Sequence, residues 1–591
     1  MNFSIGKIIS IVGKEVSIKL EIDKDKCGSL AGKYVIIEDK DKSFLGEMSS
    51  IEQDNAIVIL HGEIINNEFK AGVINKPAFN SDVRMLKVEE LSLLTNSNQN
   101  GVLIELGNLM LYNQQKVKID LNDFFSNHFA IFGNTGSGKS CSVARIFQNI
   151  FRLEQAPYMA NIFLFDAYGE YTKAFSKLNE ENKYINFKVY TTNTREPENE
   201  YTSLVKIPLW LLGVDDIALL LGASTVTQLP IIEKALKLVT VFSRNDEITL
   251  KHKNNIIAKA LLDILTSGKN SSHVRDQVIA ILTSFNTEKL NLESKIVQPG
   301  YIRTLRQCLI IDNSGKLNEI QLVIQFIETF IDNTLELSLP DGTFPYTLEN
   351  LREAFEFSMI SEGILKSDKV FDYTNVLRVR LETLINSEYA SYFKYEKYIS
   401  REDYIKELIL TRDGKKAQII DFNINYVDDR FAKSITKIYS KMLFDYSTTL
   451  KKRASLPFHI VLEEAHRYVQ KDIDTELLGY NIFERITKEG RKYGVILGLI
   501  SQRPSELSET VLSQCSNFLI FRMLHPVDLK YISEMVPNMT EEILTKLKSL
   551  QSGSCVAFGV AFKIPIIISF DLPNPTPNSD NCNIVNTWFI K

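Results

Sequence analysis

The stretch Gly133-Asn134-Thr135-Gly136-Ser137-Gly138-Lys139-Ser140 fits the pattern G-x-x-x-x-G-K-[ST] at every specified position. The apolar run Phe129-Ala130-Ile131-Phe132 precedes it and is typical of a buried strand. Apolar residues from Val143 to Phe151 then recur at helical spacing. Strand, glycine-rich loop and helix in this order predict a P-loop, the backbone cradle that binds phosphate groups. A glycine-rich turn with an unrelated lysine is the weaker interpretation.

The residue types in this loop predict a nucleotide site. The glycines let the backbone fold tightly round a phosphate with its N–H groups inward, and the helix directs its positive end at the same charge. Lys139 is expected to bridge the β- and γ-phosphates, and the Ser140 hydroxyl to be one ligand of a magnesium ion shared with the nucleotide. The expected cofactors are therefore ATP and Mg²⁺, and the expected nucleotide-binding residues are Gly133, Asn134, Thr135, Gly136, Ser137, Gly138, Lys139, Ser140 and Cys141.

A second apolar run ends in two acids. Phe458 to Leu462 is typical of a buried parallel strand, and Glu463-Glu464 follows it directly. Glu463 is expected beside the magnesium ion, and Glu464 is expected to orient and deprotonate the attacking water. A solvated charge pair at the start of a helix is the alternative.

Two further features follow in the chain. The run from Glu484 to Tyr493 holds four basic residues and two acids, which suits a surface that meets phosphate, of either DNA or a neighbouring subunit's nucleotide. An exposed helix with charge pairs would have the same pattern. Gln502 ends the next apolar strand, where it can sense the γ-phosphate or simply close the strand.

Composition bounds the class of protein. With 591 residues, 44% hydrophobic and 24% charged, the chain is expected to form three or four globular domains. The start lacks a signal-peptide core, and the most apolar stretch, Leu209 to Leu221, is interrupted by Asp215 and Asp216, so we expect a cytoplasmic protein without membrane contact. The formal charge of −5 excludes a generally basic nucleic-acid coat, so DNA contact requires a local patch or a pore.

The cysteines show no metal-binding arrangement. None forms a C-x-x-C pair, and none has a histidine at zinc-binding spacing. We therefore expect six free thiols, at Cys27, Cys141, Cys308, Cys515, Cys555 and Cys582.

The chain divides into segments of different pattern. Short strand-like runs at its start predict a small β-barrel, for which assembly is favoured over oligonucleotide binding because no row of exposed aromatics is evident. Residues 94–101 are polar and turn-forming and predict a linker. The predicted domains are a barrel at 1–93, a first core part at 102–214, a helical insertion at 215–400 with almost no strand, a second core part at 401–564 with a mostly parallel sheet, and an extended arm at 565–591.

Several motifs together resemble one family, the HerA-like ATPases within the HerA and FtsK group of hexameric DNA pumps. The resemblance lies in His128–Ser140, Leu462–His466, Glu489–Gly494 and Ser501–Ser508. It implies an α/β fold: a RecA-like P-loop ATPase core with an N-terminal HAS-like small β-barrel, a helical insertion and a C-terminal brace. The usual Asp-Pro-His-Gly-Glu-Tyr of that family stands here as Asp166-Ala-Tyr-Gly-Glu-Tyr171, so only Asp166, Gly169 and Glu170 can be carried over.

The resemblance also implies a function. It implies a Mg²⁺-dependent homohexameric ATPase, or helicase, that moves double-stranded DNA through a central pore, with Arg491 as an arginine finger inserted into the neighbour's site and Arg485 as the runner-up. A separate effector, a nuclease or a sirtuin-like NAD-consuming enzyme, is expected in DNA-end processing or antiphage defence. The alternative is a nucleotide-gated ring scaffold that activates an effector with little translocation. A conjugative or packaging ATPase is a third possibility, less favoured without membrane anchors.

Overall fold

The computed structural model describes residues 4–22, 30–40, 42–66, 68–94, 101–110, 112, 115–196, 198–243, 246–335, 344–366, 368–470, 474–535, 541–579 and 584–588. Of the predicted linker, residues 95–100 lie outside these ranges.

The chain begins with a small closed barrel. Six antiparallel strands follow one another in the order β2-β1-β7-β3-β4-β5, and β2 pairs with β5 to close the ring, while β6 adds to β5. Alternate residues of β2, namely Val16, Ile18 and Leu20, are buried inside it, as expected of a strand with one apolar face. The strands are β1 (Gly6–Val12), β2 (Glu15–Leu20), β3 (Tyr34–Glu38), β4 (Ser43–Glu52), β5 (Asn55–Ile65), β6 (Glu68–Ala71) and β7 (Asp82–Met85).

The first part of the core follows a 3₁₀ helix at Val88–Leu94. The Asp120 carboxylate caps the first helix by accepting from the N–H groups of Asn122 and Asp123. The elements are β8 (Leu103–Leu109), β9 (Lys116–Asp120), α1 (Leu121–Phe125), β10 (Phe129–Phe132), α2 (Lys139–Phe151), β11 (Ile162–Asp166), α3 (Thr172–Phe175), α4 (Leu178–Glu181), β12 (Phe187–Thr191) and β13 (Thr202–Leu204).

The next segment is mainly helical, as predicted, but it also contains a β-hairpin that the sequence analysis missed. Its two strands pair antiparallel across Pro299-Gly300, where Gly300 has φ +93°. A Pro-Gly pair is a turn signal that outweighed the helical pattern around it. The elements are α5 (Val214–Leu220), α6 (Leu229–Phe242), α7 (Glu247–Leu265), α8 (Ser271–Ser284), β14 (Lys295–Gln298), β15 (Tyr301–Thr304), α9 (Leu305–Cys308), α10 (Ile320–Glu328), α11 (Leu348–Lys366) and α12 (Asp368–Asn386).

The chain then returns to the core sheet. Its elements are α13 (Arg401–Leu408), β16 (Ile419–Asn423), α14 (Asp429–Thr449), β17 (Phe458–Leu462), α15 (Asp474–Leu478), α16 (Ile482–Tyr493), β18 (Val495–Ser501), α17 (Glu509–Ser513), β19 (Asn517–Phe521), α18 (Pro526–Met535), α19 (Glu541–Ser549), β20 (Ser554–Gly559), β21 (Phe562–Ser569) and α20 (Ile584–Trp588).

One twelve-stranded sheet organises the core in the described part of the chain. Its order is β13-β12-β16-β11-β17-β18-β10-β19-β20-β21-β8-β9. The strands from β13 to β19 are parallel, as the predicted mostly parallel sheet requires, but β20 is antiparallel to β19. Two helices, α18 and α19, lie between β19 and β20 in the chain, in place of the single crossover helix that usually joins parallel strands.

The two faces of this sheet carry separate cores. On β10, Phe129 and Ile131 pack on one side with α2, and Ala130 and Phe132 pack on the other side with the helical insertion. All four residues are buried, which is typical of a parallel strand covered on both faces. The α/β fold with its N-terminal barrel and helical segments is thus confirmed.

The predicted start of the arm at residue 565 is wrong. Pro565 lies inside β21, which pairs with β20 and β8, so the extended segment begins only after Ser569. The proline is tolerated because β21 pairs with β8 only at Ile568 and Ser569, and its pairing with β20 shifts register beside Pro565. The segment crosses the outer side of α2, where the Asn574 N–H donates to Gln148 Oε1 at 2.9 Å. Phe589 and Ile590, near the end of the predicted arm, lie outside the described residues.

Two other expectations concern thiols and membranes. Within the described residues Cys141, Cys308, Cys515 and Cys555 form no disulfide bond, whereas Cys27 and Cys582 lie outside the described ranges. Among the helices that the structure describes, none combines the length and apolar character needed to span a bilayer.

Candidate active site

The P-loop joins β10 to α2 at the carboxyl edge of the parallel strands. Gly136 and Gly138 have φ of +74° and +94°, the left-handed region that favours glycine. A Cβ on Gly133 would lie 2.6 Å from the Cβ of Phe521, so the loop can turn here only because this position carries no side chain. The glycines therefore give the loop its tight turn, and Lys139 starts α2 with its side chain buried.

The two acids after β17 lie beside this loop. Glu464 Oε1 is 3.6 Å from Lys139 Nζ, and both side chains are more than nine-tenths buried. Glu464 has φ +47° and ψ +47°, although it is not glycine. A left-handed conformation costs such a residue about 1–2 kcal/mol, and strain of this kind concentrates at functional sites. The strained backbone turns the carboxylate towards the P-loop lysine.

One oxygen of Glu464 is left without a hydrogen bond. Its Oε2 is buried and finds no hydrogen-bond partner among the described residues, although His466 Nδ1 lies 3.2 Å away. The same His466 nitrogen is 3.1 Å from the Ser501 hydroxyl. Burial lowers the pKa of His466, which favours the neutral imidazole. A buried carboxylate oxygen that lacks a donor is available to hydrogen-bond a water molecule.

Glu463 belongs to a buried acidic group with Asp166. Glu463 Oε2 accepts the Ala167 N–H at 3.2 Å. Burial, and next the Asp166 carboxylate, raise the pKa of Glu463 well above its usual range. The close carboxyl groups are thus destabilised when both are ionised, and a nearby cation would relieve this repulsion.

The loop after β11 brings a third acid to the P-loop. The carboxylate of Asp166 accepts N–H groups from Tyr168, Gly169 and Tyr171 at 3.2, 2.8 and 2.9 Å, which shapes the loop. The next acid, Glu170, is thereby placed within hydrogen-bond reach of the Ser140 hydroxyl. Burial raises the pKa of Glu170, and its Oε2 has no partner in the described part of the chain.

These residues fit a magnesium ion carried by a nucleotide. Oxygen ligands are what Mg²⁺ prefers, and it usually keeps several waters beside one or two carboxylates and the phosphates. Ser140, Glu463 and Glu170 supply oxygens next to the P-loop, and the unpartnered Oε2 atoms of Glu170 and Glu464 can accept from the waters.

Gln502 lies on the other side of the P-loop. It follows β18, which runs between β10 and β17 in the sheet. Its Oε1 accepts the Thr135 hydroxyl at 2.7 Å. A cavity of about 360 Å³ opens beside this contact, lined by Asn134, Thr135, Gln502, Arg503, Ser505, Glu506, His525 and Asp528. The structure therefore brings Gln502 into contact with the predicted phosphate loop.

The candidate arginine fingers do not lie in this chain's own site. Arg491 is exposed in the last turn of α16, and its charge acts on His128, which precedes β10 at the end opposite the P-loop. It forms no ion pair with any residue that the structure describes. Arg485 lies over the Phe444 ring, 5.1 Å from its centroid, and its Nε is 3.8 Å from Glu489. Neither arginine contacts the P-loop of its own chain among the contacts of the described residues.

Two parts of the site were not predicted from the sequence. Asp421 on β16 is fully buried and accepts the Thr172 hydroxyl at 3.0 Å, and burial raises its pKa well above the usual range. An acid inside an apolar strand was the available signal. Ser552 and Gly553 touch the P-loop, but they follow it by more than 400 residues, and a Ser-Gly pair predicts only a turn.

Comparison with known proteins bears on the family. The family model described as "Helicase HerA, central domain" matches residues 104–331. The DNA double-strand break repair helicase HerA of Pyrococcus furiosus is 24% identical over 478 residues, covering 79% of this chain and 69% of its own. The helicase of the same name from Saccharolobus solfataricus is 29% identical over 290 residues, covering 46% of this chain and 57% of its own.

Among solved structures, VirB4 of Thermoanaerobacter pseudethanolicus is similar at a TM-score of 0.41 and 13% identity, covering 80% of this chain and 97% of its own. The family model and the curated relatives agree with the resemblance drawn from the motifs, and the P-loop with its adjacent acids gives the chemistry of an ATPase. The chain is therefore similar to the HerA helicases, and its site is that of a P-loop ATPase.

Proposed function

We propose that the protein is a homohexameric, Mg²⁺-dependent ATPase that translocates on double-stranded DNA. The observation that carries the ATPase mechanism is the pairing of Lys139 with the strained Glu464 at 3.6 Å. Support for DNA as the track comes from the relatives, whose names describe DNA double-strand break repair helicases.

Binding begins with the phosphates. The P-loop N–H groups and the positive end of α2 hold the β-phosphate, and Lys139 leaves Glu464 to bridge the β- and γ-phosphates. Ser140 and Glu463 would hold the magnesium ion, which supplies charge stabilisation to the phosphoryl group as it is transferred. Glu170 orients the Ser140 hydroxyl.

Hydrolysis then depends on Glu464. Once Lys139 has turned to the phosphates, the Glu464 carboxylate is free to accept a proton from the attacking water. His466 and Ser501 limit how far this carboxylate can move, because the His466 ring lies against both. Gln502 accepts the Thr135 hydroxyl, so it can report on the γ-phosphate when that contact is replaced.

Catalysis is completed by a neighbouring subunit. Arg491 of one copy inserts into the site of the next, where its guanidinium offers fixed, charged donors to the γ-phosphate. Its exposure and the absence of an ion pair within the described residues leave it available for this role. Arg485 is the second candidate. A chain held as a monomer then hydrolyses ATP poorly.

The ring passes DNA through its centre and works with a separate effector. With a formal charge of −5, the protein meets DNA through a local pore surface, and the contacts are to phosphate, which makes binding salt-sensitive and tolerant of sequence. The effector is a nuclease or a sirtuin-like NAD-consuming enzyme, in DNA-end processing or antiphage defence; the family resemblance supports this part.

The deciding experiment measures ATP turnover with and without linear duplex DNA, at low and moderate salt. Stimulation that fades with salt is expected for a motor that tracks the DNA backbone. A Lys139→Ala variant controls for contaminating ATPases. An unchanged rate would instead favour the nucleotide-gated scaffold, in which the ring activates an effector without translocation.

A further inference from the structure

The turn between α19 and β20 lies directly against the P-loop. The Ser552 hydroxyl donates to the Gly136 carbonyl at 2.9 Å, and the Gly553 N–H donates to the Ser137 carbonyl at 2.8 Å. Two consecutive P-loop carbonyls are thus held by two consecutive residues of this turn. We call Gln551–Ser554 the latch.

The contact is close because both backbones lack side chains where they meet. A Cβ on Gly138 would lie 2.6 Å from the Gly553 nitrogen and 2.7 Å from its Cα. Gly553 itself has φ +79°. A side chain on Gly138 would therefore displace the latch.

Holding these carbonyls also directs the N–H groups behind them. In a planar trans peptide the C=O of one residue and the N–H of the next point in opposite directions. The Ser137 carbonyl faces the latch, so the Gly138 N–H faces away from it, into the loop. N–H groups inside the loop are the ones that bind phosphate.

The latch is anchored at both ends. The Gly553 carbonyl accepts the Phe570 N–H at 2.9 Å, which ties it to the chain leaving β21. On the other side, Lys546 of α19 forms an ion pair with Glu47 of the barrel, whose carboxylate is also 3.3 Å from His61 Nε2. Anchors in the sheet and in the barrel keep the turn in place against the P-loop.

We propose that Ser552 and Gly553 are positioning residues that hold the P-loop in its phosphate-binding conformation before the nucleotide arrives. This inference rests on the proposal that ATP binds at Gly133–Ser140. The latch contacts outward-facing carbonyls only, so it preorganises the binding site without touching the reacting atoms. Its loss weakens nucleotide binding and leaves the chemical step nearly unchanged.

The test compares three variants for binding of a fluorescent ATP analogue and for kcat and KM. Ser552→Ala removes one neutral hydrogen bond, which corresponds to about a five-fold rise in Kd and KM with kcat within two-fold. Ser552→Thr keeps the hydroxyl and is expected to restore binding. Ser549→Ala, whose hydroxyl donates only to the Lys546 carbonyl on the surface of the same helix, is the matched control and leaves Kd unchanged.

A second readout needs no nucleotide. The amides of residues 134–138 in the free protein are expected to exchange with solvent about five-fold faster in Ser552→Ala than in Ser549→Ala. Unchanged Kd and exchange in Ser552→Ala, or an equal loss in Ser552→Thr, would overturn the proposal. The Lys139→Ala variant distinguishes failure of the latch proposal from failure of the proposed function. Full nucleotide binding by Lys139→Ala refutes the phosphate site itself. Loss of nucleotide binding in Lys139→Ala together with normal binding in Ser552→Ala refutes only the latch.

Discussion

Replacing Glu464 by glutamine separates two roles of one carboxylate. Glu464 neutralises Lys139 at 3.6 Å, so ATP must displace it to reach the lysine. Coulomb's law gives this pair about 1 kcal/mol if it is screened as in water and about 4–5 kcal/mol at an effective dielectric constant near 20. Even the lower figure corresponds to about a five-fold change in affinity. Glu464→Gln is therefore expected to bind ATP at least five-fold more tightly.

The same substitution removes the proposed base. General-base catalysis contributes roughly 10²–10⁴-fold, so the single-turnover rate of phosphate release should fall by that factor while binding improves. Titration of a fluorescent ATP analogue and a quenched-flow assay measure the two effects separately. Glu402→Gln, on the exposed face of α13, serves as the charge-matched control. Hydrolysis within ten-fold of the wild-type rate refutes Glu464 as the base, and weaker ATP binding refutes its competition for Lys139.

Three further predictions concern other parts of the site. Arg491→Ala should lower ATP turnover by about 10³-fold, the usual contribution of an arginine finger, and Arg485→Ala should lower it less. If the finger acts in trans, mixing either variant with the Lys139→Ala protein should restore activity in mixed rings. Glu170→Gln should raise the Mg²⁺ concentration for half-maximal turnover about ten-fold, as measured by magnesium titration, because Glu170 orients the Ser140 hydroxyl. Burial, and next the Arg491 charge, lower the pKa of His128 to about 4, so the folded protein binds fewer protons than the unfolded chain as the pH falls from about 6.5 to 4. The free energy of unfolding should fall by about 3 kcal/mol across that pH window because of this one histidine. Urea midpoints should show a smaller loss for His128→Asn. The side-chain oxygen of the asparagine can still accept the Leu497 N–H.

The parts of the site that local pattern encodes were predictable. A buried strand, a glycine-rich loop and an amphipathic helix are consecutive around Lys139, and the acids after Leu462 directly follow a buried strand. In each case the residues that form the pattern lie within about twenty positions of one another, so the sequence alone shows why they fold and act together. The roles of Glu464, Gln502 and Arg491 remain predictions, although the structure brings the first two beside the P-loop.

Other features depend on contacts between distant parts of the chain. Periodicity could not show that β20 runs antiparallel or that Pro565 lies in a strand, because both follow from the path of the preceding helices and from pairing with β8. The latch is a turn in the sequence and becomes part of the site only through a contact across 416 positions. Glu464 has a left-handed backbone conformation that glutamate rarely adopts, so its residue type does not predict it. Only the packing of the site explains this conformation.

The position of β10 has a consequence for how the protein is made. The strand that carries the P-loop lies between β18 and β19, and the Leu497 N–H that bonds to His128 at its start comes 369 residues later in the chain. At typical rates of synthesis, a ribosome takes roughly 20 to 70 seconds to add that many residues. Through that time both edges of β10 are unpaired. The nascent chain therefore exposes apolar side chains beside unpaired backbone N–H and C=O groups, which promotes aggregation. Messages truncated before β18 should thus yield chains that depend on chaperones and bind no ATP.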